Sequence, residues 1–321
     1  MSVAANEPLA IGVDIGGTKL AAGVVDGHGA VIESIRRTTP SMDVRATEHV
    51  IVEVVQELAA RHEVAAVGVG AAGWIDDDGA TVLFAPHLAW RNEPLRAELV
   101  KAIRMPVLIE NDANAAAWAE HRFGAARQAP VAVMITLGTG IGGGLVSGGR
   151  LYRGAFGIGC EFGHMTVLPD GRRCACGNRG CWETYASGTA LAQDARELAA
   201  VSPLAARRLL ELADGDLDRL TGPVVTEAAR EGDPAAVEIY TTMGRWLGRG
   251  LASLAAILDP SVFVVGGGVA EAGDLLLGPA RQVLADGLTG RGFRPHPSIE
   301  PARLGPHAGL VGVADLARLH A

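Results

Sequence analysis

Near the start of the chain, hydrophobic residues form two short runs separated by a turn that contains glycine and polar residues. The runs LAIGVDI (9–15) and LAAGVV (20–25) predict two strands, and Gly16-Gly17-Thr18-Lys19 joins them. Short apolar runs bounded by turn residues are typical of strands, and so short a connection is typical of a hairpin. The fold is therefore predicted to begin with a β-hairpin.

After this hairpin the pattern changes to a helical period and then returns to short runs. Over residues 44–62 the apolar positions recur at three- and four-residue spacings, which predicts an amphipathic helix. VAAVGVG (64–70) and MPVLIE (105–110) are continuous apolar runs. Continuous runs favour strands that are buried on both faces, as in a parallel sheet.

A second set of elements resembles the first. VAVMITL (131–137) and GGLVSG (143–148) predict another hairpin, whose turn aligns with the first at a shift of 122 residues. SVFVVGGG (261–268) likewise resembles VAAVGVG. Two sets of hairpins alternating with helices favour two α/β lobes of similar plan, and a cleft between lobes is a common ligand site.

The rest of the second half is predicted to be mainly helical. Residues 189–258 are rich in Ala and Leu, with a break near Gly215–Gly222, and a last helix is predicted at about 309–319. The longer stretch is a helical insert with apolar faces. We expect it to offer a surface for self-association.

Glycine departs most from ordinary composition. The chain has 321 residues, 43 of them glycine, and 15 of these 43 lie between Gly138 and Gly188. Glycine either loosens a chain or lets its backbone approach another group closely. The clustering favours close approach and marks this stretch as a candidate binding region.

Charge and hydropathy argue against several classes of protein. The net charge is −8 and no basic block is present, which argues against a nucleic-acid or anionic-membrane partner. The opening MSVAANEPLAIGVDIGG has neither the positive region nor the apolar region of a secretory signal. No window offers 18 apolar residues free of charge, so we expect a cytoplasmic protein without membrane spans.

A compact group of cysteines and one histidine predicts a metal site. His164 precedes Cys174, Cys176 and Cys181, and three thiolates with one imidazole suit tetrahedral Zn²⁺. Four protein ligands leave no open position, so the zinc is expected to be structural. The alternative is three free thiols and a core histidine. Cys160 lies outside this set and is expected to be a small core residue.

Both predicted hairpin turns carry groups suited to phosphate. Asp14 ends a strand, Gly16 and Gly17 expose backbone N–H groups, and Thr18 and Lys19 supply a hydroxyl and a positive charge. A carboxylate such as Asp14 can hold Mg²⁺ through water. The alternative is an ordinary glycine-rich β-turn.

The second turn, Gly138-Thr139-Gly140, repeats this chemistry. Because two matching turns occur, ordinary glycine-rich β-turns explain the pattern less well than they would explain one turn alone. Neither turn is a P-loop, because Gly-x4-Gly-Lys-Ser/Thr does not occur, and neither is a Rossmann fingerprint, because a strand is predicted to follow.

Carboxylates and amides lie at a predicted strand-to-helix junction. Glu110-Asn111-Asp112 ends a strand, and an Ala-rich helix follows to about Phe123. Asn111 and Asp112 suit the capping of that helix, which is sufficient to explain their presence. A carboxylate here could alternatively act as a general base.

Two further carboxylates flank the predicted metal loop. Glu161 stands three residues before His164, and Glu183 follows Cys181 by two residues. Carboxylates accept several hydrogen bonds and so suit sugar hydroxyls. For each residue alone, an exposed surface charge is an equally good explanation.

Together these motifs resemble the ROK family of sugar kinases and repressors. DIGGTK at 14–19, LGTGIGGG at 137–144 and GHMTVLPDGRRCACGNRGCWE at 163–183 carry the resemblance, which extends over nearly the whole chain. Ala175 stands where the family's zinc motif usually has glycine, a minor departure.

The resemblance implies an α/β, actin-like (ribonuclease-H-like), duplicated two-lobe ATPase fold with a central cleft. We expect one lobe to comprise residues 1–120 and 308–321. The other lobe, 121–307, would contain the zinc loop and the helical insert.

The resemblance also implies roles for individual residues. Asp112 would be the general base, and His164, Cys174, Cys176 and Cys181 would bind zinc. The sugar-binding residues would be Gly73, Asn111, Asp112, Glu161, His164 and Glu183. The nucleotide-binding residues would be Asp14, Gly16, Gly17, Thr18, Lys19, Gly138, Thr139, Gly140, Gly267 and Gly268.

The implied activity is ATP- and Mg²⁺-dependent phosphorylation of the 6-hydroxyl of a hexose, with glucose as the expected hexose. Fructose, mannose and N-acyl hexosamines stay open as substrates, and polyphosphate stays open as donor. A non-catalytic sugar-sensing regulator is the alternative of another class. Family repressors carry a winged-helix domain before the first hairpin, and only 13 residues precede Asp14, so we expect the enzyme.

Overall fold

The computed structural model describes residues 7–321 as alternating strands and helices. Residues 1–6, which the first predicted lobe includes, lie outside the described residues. The strands are β1 (Leu9–Ile15), β2 (Lys19–Val25), β3 (Val31–Thr38), β4 (Val64–Ala71), β5 (Trp74–Ile75), β6 (Val82–Phe84), β7 (Arg91–Glu93), β8 (Val107–Asn111), β9 (Val131–Leu137), β10 (Ile141–Ser147), β11 (Arg150–Tyr152), β12 (Val262–Gly266) and β13 (Ser298–Pro301). The helices are α1 (Val44–Ala59), α2 (Leu95–Ile103), α3 (Asp112–Arg122), α4 (Gly188–Val201), α5 (Arg207–Leu212), α6 (Gly222–Arg230), α7 (Pro234–Leu258), α8 (Asp274–Gly287) and α9 (Ala308–His320).

The predicted elements are confirmed, with small differences at their ends. One correction concerns the second hairpin: β10 begins at Ile141 rather than at Gly143, so Ile141 and Gly142 also lie in the strand and only 138–140 form the turn. In this turn the Gly138 N–H donates to the Gly140 carbonyl at 3.1 Å, which closes it tightly.

The first sheet brings three strand ends to one edge. Its order is β3-β2-β1-β4-β8, with β1 parallel to β4 and β4 parallel to β8. Ile15 is paired with Ala71, and Ala71 with Asn111, so the carboxyl ends of the three strands are level. In sheets of this kind, ligands bind outside the carboxyl ends of the strands.

The remaining strands form two more sheets. One has the order β11-β10-β9-β12-β13, with β10 antiparallel to β11 and β12 parallel to β13. The other is small and antiparallel, with the order β5-β6-β7. It was not predicted, because its strands have only two or three residues and show no alternation.

Helix α9 packs against the first sheet and α3 at unusually short range, and glycines make this possible. A Cβ on Gly12 of β1 would lie 2.0 Å from the Leu310 carbonyl oxygen, and one on Gly68 of β4 would lie 2.0 Å from that of Val313. A Cβ on Gly312 of α9 would lie 1.8 Å from the Ala115 carbonyl oxygen of α3. The position of α9, and of the groups at its N-terminus, therefore depends on these glycines.

The chain divides into two compact units. The first holds the residues through Met134, together with Gly144–Cys160 and Arg303–Ala321. The second holds Ile135–Gly143 and Glu161–Ala302. The lobe boundaries expected from the sequence, 1–120 with 308–321 and 121–307, stay a prediction.

Within residues 7–321, no helix combines the length and the apolar character needed to cross a membrane.

Gly312→Ala should strongly destabilise the first unit. Its methyl group would collide with a backbone carbonyl that cannot turn away, so α3 and α9 would have to separate, at an expected cost of about 3 kcal/mol in the free energy of unfolding. Chemical denaturation measures this. A methyl group at Gly278 of α8 would meet no atom within 4 Å, so Gly278→Ala is the control and should change stability by less than about 0.5 kcal/mol. Equal effects of the two changes would contradict the packing argument.

Candidate functional site

The turn between β1 and β2 presents exposed phosphate-binding groups on a tightly closed backbone. The Gly16 N–H donates to the Lys19 carbonyl at 2.9 Å, and the Thr18 and Lys19 side chains are exposed. A Cβ on Gly17 would lie 2.9 Å from the Cβ of His87. Gly17 is therefore required for close packing, and an exposed imidazole, which sequence reasoning did not single out, lies beside the turn.

Two carboxylates lie together at the carboxyl edge of the first sheet. Burial, followed by the charge of Asp112, raises the pKa of Asp14 to about 7. Burial also raises the pKa of Asp112, although hydrogen bonds from the backbone N–H groups of Ala113 and of Asp112 itself act in the opposite direction. Among the described residues, no positively charged side chain lowers the pKa of Asp14, an arrangement suited to a cation or a proton.

The N-terminus of α9 faces the same carboxylate. A Cβ on Gly309 would lie 3.3 Å from the Asp14 carboxyl carbon, so the first turn of α9 lies directly against Asp14. Backbone N–H groups at a helix N-terminus favour negative charge. The close packing of α9 on the first sheet therefore also positions this helix end.

Asn111 both caps α3 and connects it to Gly73. Its Oδ1 accepts from the Asn114 N–H at 2.9 Å, and its Nδ2 donates to the Gly73 carbonyl at 3.0 Å. Asp112 is the first residue of α3. The capping role is thus present, and the same contacts bring together the predicted sugar and base residues of the first unit: Gly73, Asn111 and Asp112.

In the second unit, the four predicted metal ligands converge. The donor atoms of His164, Cys174, Cys176 and Cys181 all lie within 4.8 Å of one another. The Cys176 and Cys181 sulfurs are 3.6 Å apart, and the Cys174 sulfur is 3.6 Å from His164 Nδ1. Tetrahedral zinc with Zn–S bonds of about 2.3 Å places sulfurs roughly 3.8 Å apart, so the donor set fits this ion.

Two of the three thiols of this cluster, Cys174 and Cys181, need a cation to act as ligands. Burial raises the pKa of Cys174, and its contact with Glu183 raises it further. Burial also raises the pKa of Cys181. At neutral pH these thiols are therefore protonated unless a bound metal displaces their protons.

Glycines form the loop that carries these ligands. Gly177 and Gly180 have φ of 95° and 74°, a region that residues with a side chain rarely adopt. A Cβ on Gly180 would lie 1.8 Å from the Leu168 carbonyl oxygen. These two glycines therefore let the chain turn sharply between the ligands.

Cys160 does not match its prediction as a core residue. It is only partly buried, with φ of 67°, directly before Glu161. The left-handed backbone turn at Cys160 leaves its side chain partly exposed. The position of a cysteine in the sequence does not reveal such a turn.

The predicted sugar-binding carboxylates of the second unit surround His164. Glu161 Oε2 lies 3.9 Å from His164 Nε2, and Glu183 Oε1 lies 3.6 Å from Nδ1. Glu183 Oε2 accepts from the Ile141 N–H at 3.4 Å and would lie 2.4 Å from a Cβ on Gly140. Glu183 therefore contacts both the metal cluster and the second glycine turn.

The loop after β12 also packs against the second glycine turn. Gly267 has φ of 89°, and its Cβ would lie 2.4 Å from the Leu137 carbonyl oxygen. A Cβ on Gly268, by contrast, would meet nothing within 4 Å. The start of α4 also contacts the turn, because the Gly188 N–H donates to the Gly138 carbonyl at 2.8 Å. Gly267 is thus required by packing, and Gly268 leaves open space beside it.

The predicted site residues accordingly form two groups. The first unit holds Asp14, Gly16, Gly17, Thr18, Lys19, Gly73, Asn111 and Asp112. The second unit holds Gly138, Thr139, Gly140, Glu161, His164, Cys174, Cys176, Cys181, Glu183, Gly267 and Gly268.

Comparison with known proteins gives consistent matches. The model of the ROK family matches residues 10–320. The chain is 48% identical to a glucokinase of Streptomyces coelicolor over 310 residues, which covers 97% of this chain and 98% of that protein. It is 36% identical to a glucokinase of Thermotoga maritima, over 95% of this chain and 96% of that protein.

Among solved structures, the chain is similar to a ROK family glucokinase from Streptomyces griseus in complex with glucose and AMPPNP. The identity is 50%, the TM-score is 0.87, and the match covers 97% of this chain and 99% of that one. The likeness therefore extends over both units.

Asp14→Asn should remove a pH-dependent loss of stability. The pKa of Asp14 is about 7 in the folded protein and 3.8 ordinarily, so the folded state holds this proton more tightly. Its contribution to stability is complete below about pH 4 and is lost as the pH rises through about 7, a decline on the order of 3 kcal/mol.

Chemical denaturation of nucleotide-free protein between about pH 4.5 and 8 measures this decline. The Asp14→Asn variant should show a much shallower one and be more stable than the wild type at about pH 8. The exposed Asp286→Asn on α8 is the control and should keep the wild-type profile. An undiminished decline in Asp14→Asn would refute the assignment.

Proposed function

The chain belongs to the ROK family, and on that basis we propose that it transfers the γ-phosphoryl group of ATP to the 6-hydroxyl of glucose. It is a hexose kinase with the family's actin-like, ribonuclease-H-like α/β fold. The observation that carries the proposal is the paired placement of Asp14 and Asp112 at the carboxyl edge of the first sheet. One carboxylate, Asp14, would serve the cation that accompanies the phosphates, and the neighbouring carboxylate, Asp112, would serve the reacting hydroxyl.

In this proposal Asp112 is the general base. Burial moves the pKa of its carboxyl group upward from 3.8, towards the range in which a base can take a proton efficiently. As the sugar 6-hydroxyl attacks the γ-phosphorus, the bond from that phosphorus to the β,γ-bridging oxygen breaks, ADP leaves, and the hydroxyl proton passes to the Asp112 carboxylate. Asn111, whose side chain is already held by α3 and Gly73, orients the same hydroxyl.

The two glycine turns would hold the phosphates. Backbone N–H groups of Gly16, Gly17, Gly138 and Gly140 would donate to phosphate oxygens, with Thr18, Thr139 and Lys19 adding hydroxyls and charge. Gly267 and Gly268 would lie on the adenosine side. Phosphoryl transfer depends mainly on such positioning and charge stabilisation.

The uncompensated charge at Asp14 fits a Mg²⁺ ion that accompanies the nucleotide. Asp14 would hold it through water, as is usual for this cation. When bound, Mg²⁺ supplies the positive charge that neutralises the phosphate oxygens. Asp14 would then be ionised at neutral pH.

The remaining sugar contacts would come from Gly73, Glu161, His164 and Glu183. His164 Nδ1 faces Cys174, so zinc bound there would fix the imidazole orientation and leave Nε2 for a sugar hydroxyl. The carboxylates of Glu161 and Glu183 can each accept hydrogen bonds from two hydroxyls.

Other substrates and roles are less well supported. Fructose, mannose and N-acyl hexosamines differ from glucose by groups worth about 1–3 kcal/mol, so the glucose in the similar Streptomyces griseus complex decides the choice. The same complex contains AMPPNP, which favours ATP over polyphosphate. A sugar-sensing regulator would not need the base Asp112. Dependence on ATP favours the cytoplasm, and we expect a homodimer or homotetramer.

A coupled assay with each hexose, and with ATP or polyphosphate as donor, tests the proposal. Glucose with ATP should give the highest kcat/KM, and Asp112→Ala should reduce kcat by about 100-fold or more, since general base catalysis contributes 10² to 10⁴. The exposed Asp286→Asn is the control. Failure of the wild type to phosphorylate any hexose would refute the activity, and near-normal turnover of Asp112→Ala would refute the base.

Metal analysis of the purified protein tests the zinc assignment. We expect about one zinc per chain, and Cys181→Ser should lose it because the change replaces a thiolate of a closed four-ligand site with a hydroxyl, which is not among the usual zinc ligands. Cys160→Ser is the matched control and should retain zinc. The zinc-free Cys181→Ser protein should also bind glucose more weakly in calorimetry, because the His164 ring is no longer fixed. Zinc-free protein with unchanged glucose affinity would contradict this role.

A further inference from the structure

A buried carboxylate that the proposed mechanism does not use lies next to the base. Glu110 is the penultimate residue of β8 and only 2% exposed. Its Oε1 accepts from the Asn111 N–H at 2.9 Å and from Asn114 Nδ2 at 3.1 Å. Its Oε2 accepts from Arg153 Nε at 2.6 Å. Both carboxylate oxygens of Glu110 therefore accept hydrogen bonds. Of the four residues that these bonds connect, all except Arg153 belong to the strand-to-helix junction.

Arg153 itself is held by a closed segment of backbone. Its carbonyl accepts from the Gly159 N–H at 2.8 Å, which folds 153–159 back on itself. Midway, Gly157 has φ of 77°, and a Cβ there would lie 2.0 Å from the Ile75 carbonyl oxygen. The guanidinium thus approaches Glu110 from a segment packed against β5, not from a flexible surface loop.

We infer that Glu110 and Arg153 form a positioning pair that fixes the junction at which Asp112 and Asn111 act. Glu110 immobilises the Asn111 backbone and the Asn114 side chain, and the Asn114 N–H in turn anchors the Asn111 side chain. Arg153 neutralises the buried carboxylate and sets its direction. This inference rests on the proposed function, in which the orientation of that junction determines the rate of proton transfer.

The chain offers a matched control at the other end of the same helix. Arg122, the last residue of α3, donates from Nε to Asp315 Oδ2 at 2.9 Å. In both pairs an arginine Nε donates to a buried carboxylate, with the Arg153 and Arg122 side chains 26% and 33% exposed and the Glu110 and Asp315 side chains 3% and 0% exposed. Removing Arg153 leaves the buried Glu110 charge without its arginine, which destabilises a protein, whereas Asp315 keeps a second arginine partner in Arg318 when Arg122 is removed. Only the pair at Glu110 touches the junction.

The test compares Arg153→Met with Arg122→Met in the full-length protein. Both should lower the melting temperature, Arg122→Met by less because Asp315 keeps Arg318 as a partner. Only Arg153→Met should reduce kcat, by at least tenfold, with a smaller change in KM for ATP, and Arg153→Lys should restore part of the loss because the charge is kept. Steady-state kinetics with glucose and ATP gives these values.

Hydrogen exchange provides a readout that does not depend on activity. A peptide that contains residues 110–114 should exchange faster in Arg153→Met than in Arg122→Met, because the Asn111 N–H loses its fixed acceptor. Should Arg153→Met fold poorly, Glu110→Gln gives the same comparison, since it keeps the shape of the side chain and removes the charge.

The possible outcomes separate the two ideas. Equal kcat values and equal exchange in the two Met variants would overturn the positioning pair even if the wild type is a fully active kinase. An inactive wild type would refute the proposed function instead. The exchange experiment alone would then decide whether the pair holds the junction.

Discussion

The central constraint is the partial burial of two carboxylates, Asp14 and Asp112, at one edge of a sheet. The level ends of β1, β4 and β8 bring them together, and the charge of Asp112 helps to hold the proton on Asp14. Burying like charges opposes folding, so the surroundings must support the arrangement. The glycine-dependent packing of α9 provides part of that support by placing a helix N-terminus at Asp14, and the backbone N–H groups of Asp112 and Ala113 donate to the Asp112 carboxylate.

In the metal loop, burial likewise disfavours the charged form of side chains, but here a bound cation would offset that cost. Cys174 and Cys181 are buried thiols in a segment with little regular structure, and burial raises the pKa of both. A bound cation would convert these thiols into thiolates, so metal affinity and the fold of the loop support each other. Glu183 extends this support beyond the loop, because one of its oxygens faces the cluster and the other faces the turn that contains Gly140.

Much of this architecture could be read from local pattern. The hairpins, the strand-to-helix junction and the convergence of His164 with three cysteines all depend on residues that are close in sequence. The β5-β6-β7 sheet was missed because strands of two or three residues carry no period. The contact between Glu110 and Arg153 was missed because it joins residues 43 apart, and nothing in the spacing of charges identifies which partners meet in the folded chain.

Asn111 and Asp112 show why capping and chemistry need not be competing explanations. A helix cap is one of the few ways to hold a short polar side chain rigidly at the end of a strand, because the cap uses backbone N–H groups that need partners in any case. Asn111 uses its oxygen for the cap and its amide group for Gly73. The carboxylate of Asp112, on the first residue of α3, inherits that rigidity. The ordinary capping role of Asn111 would thus hold the base proposed at Asp112 in a fixed position.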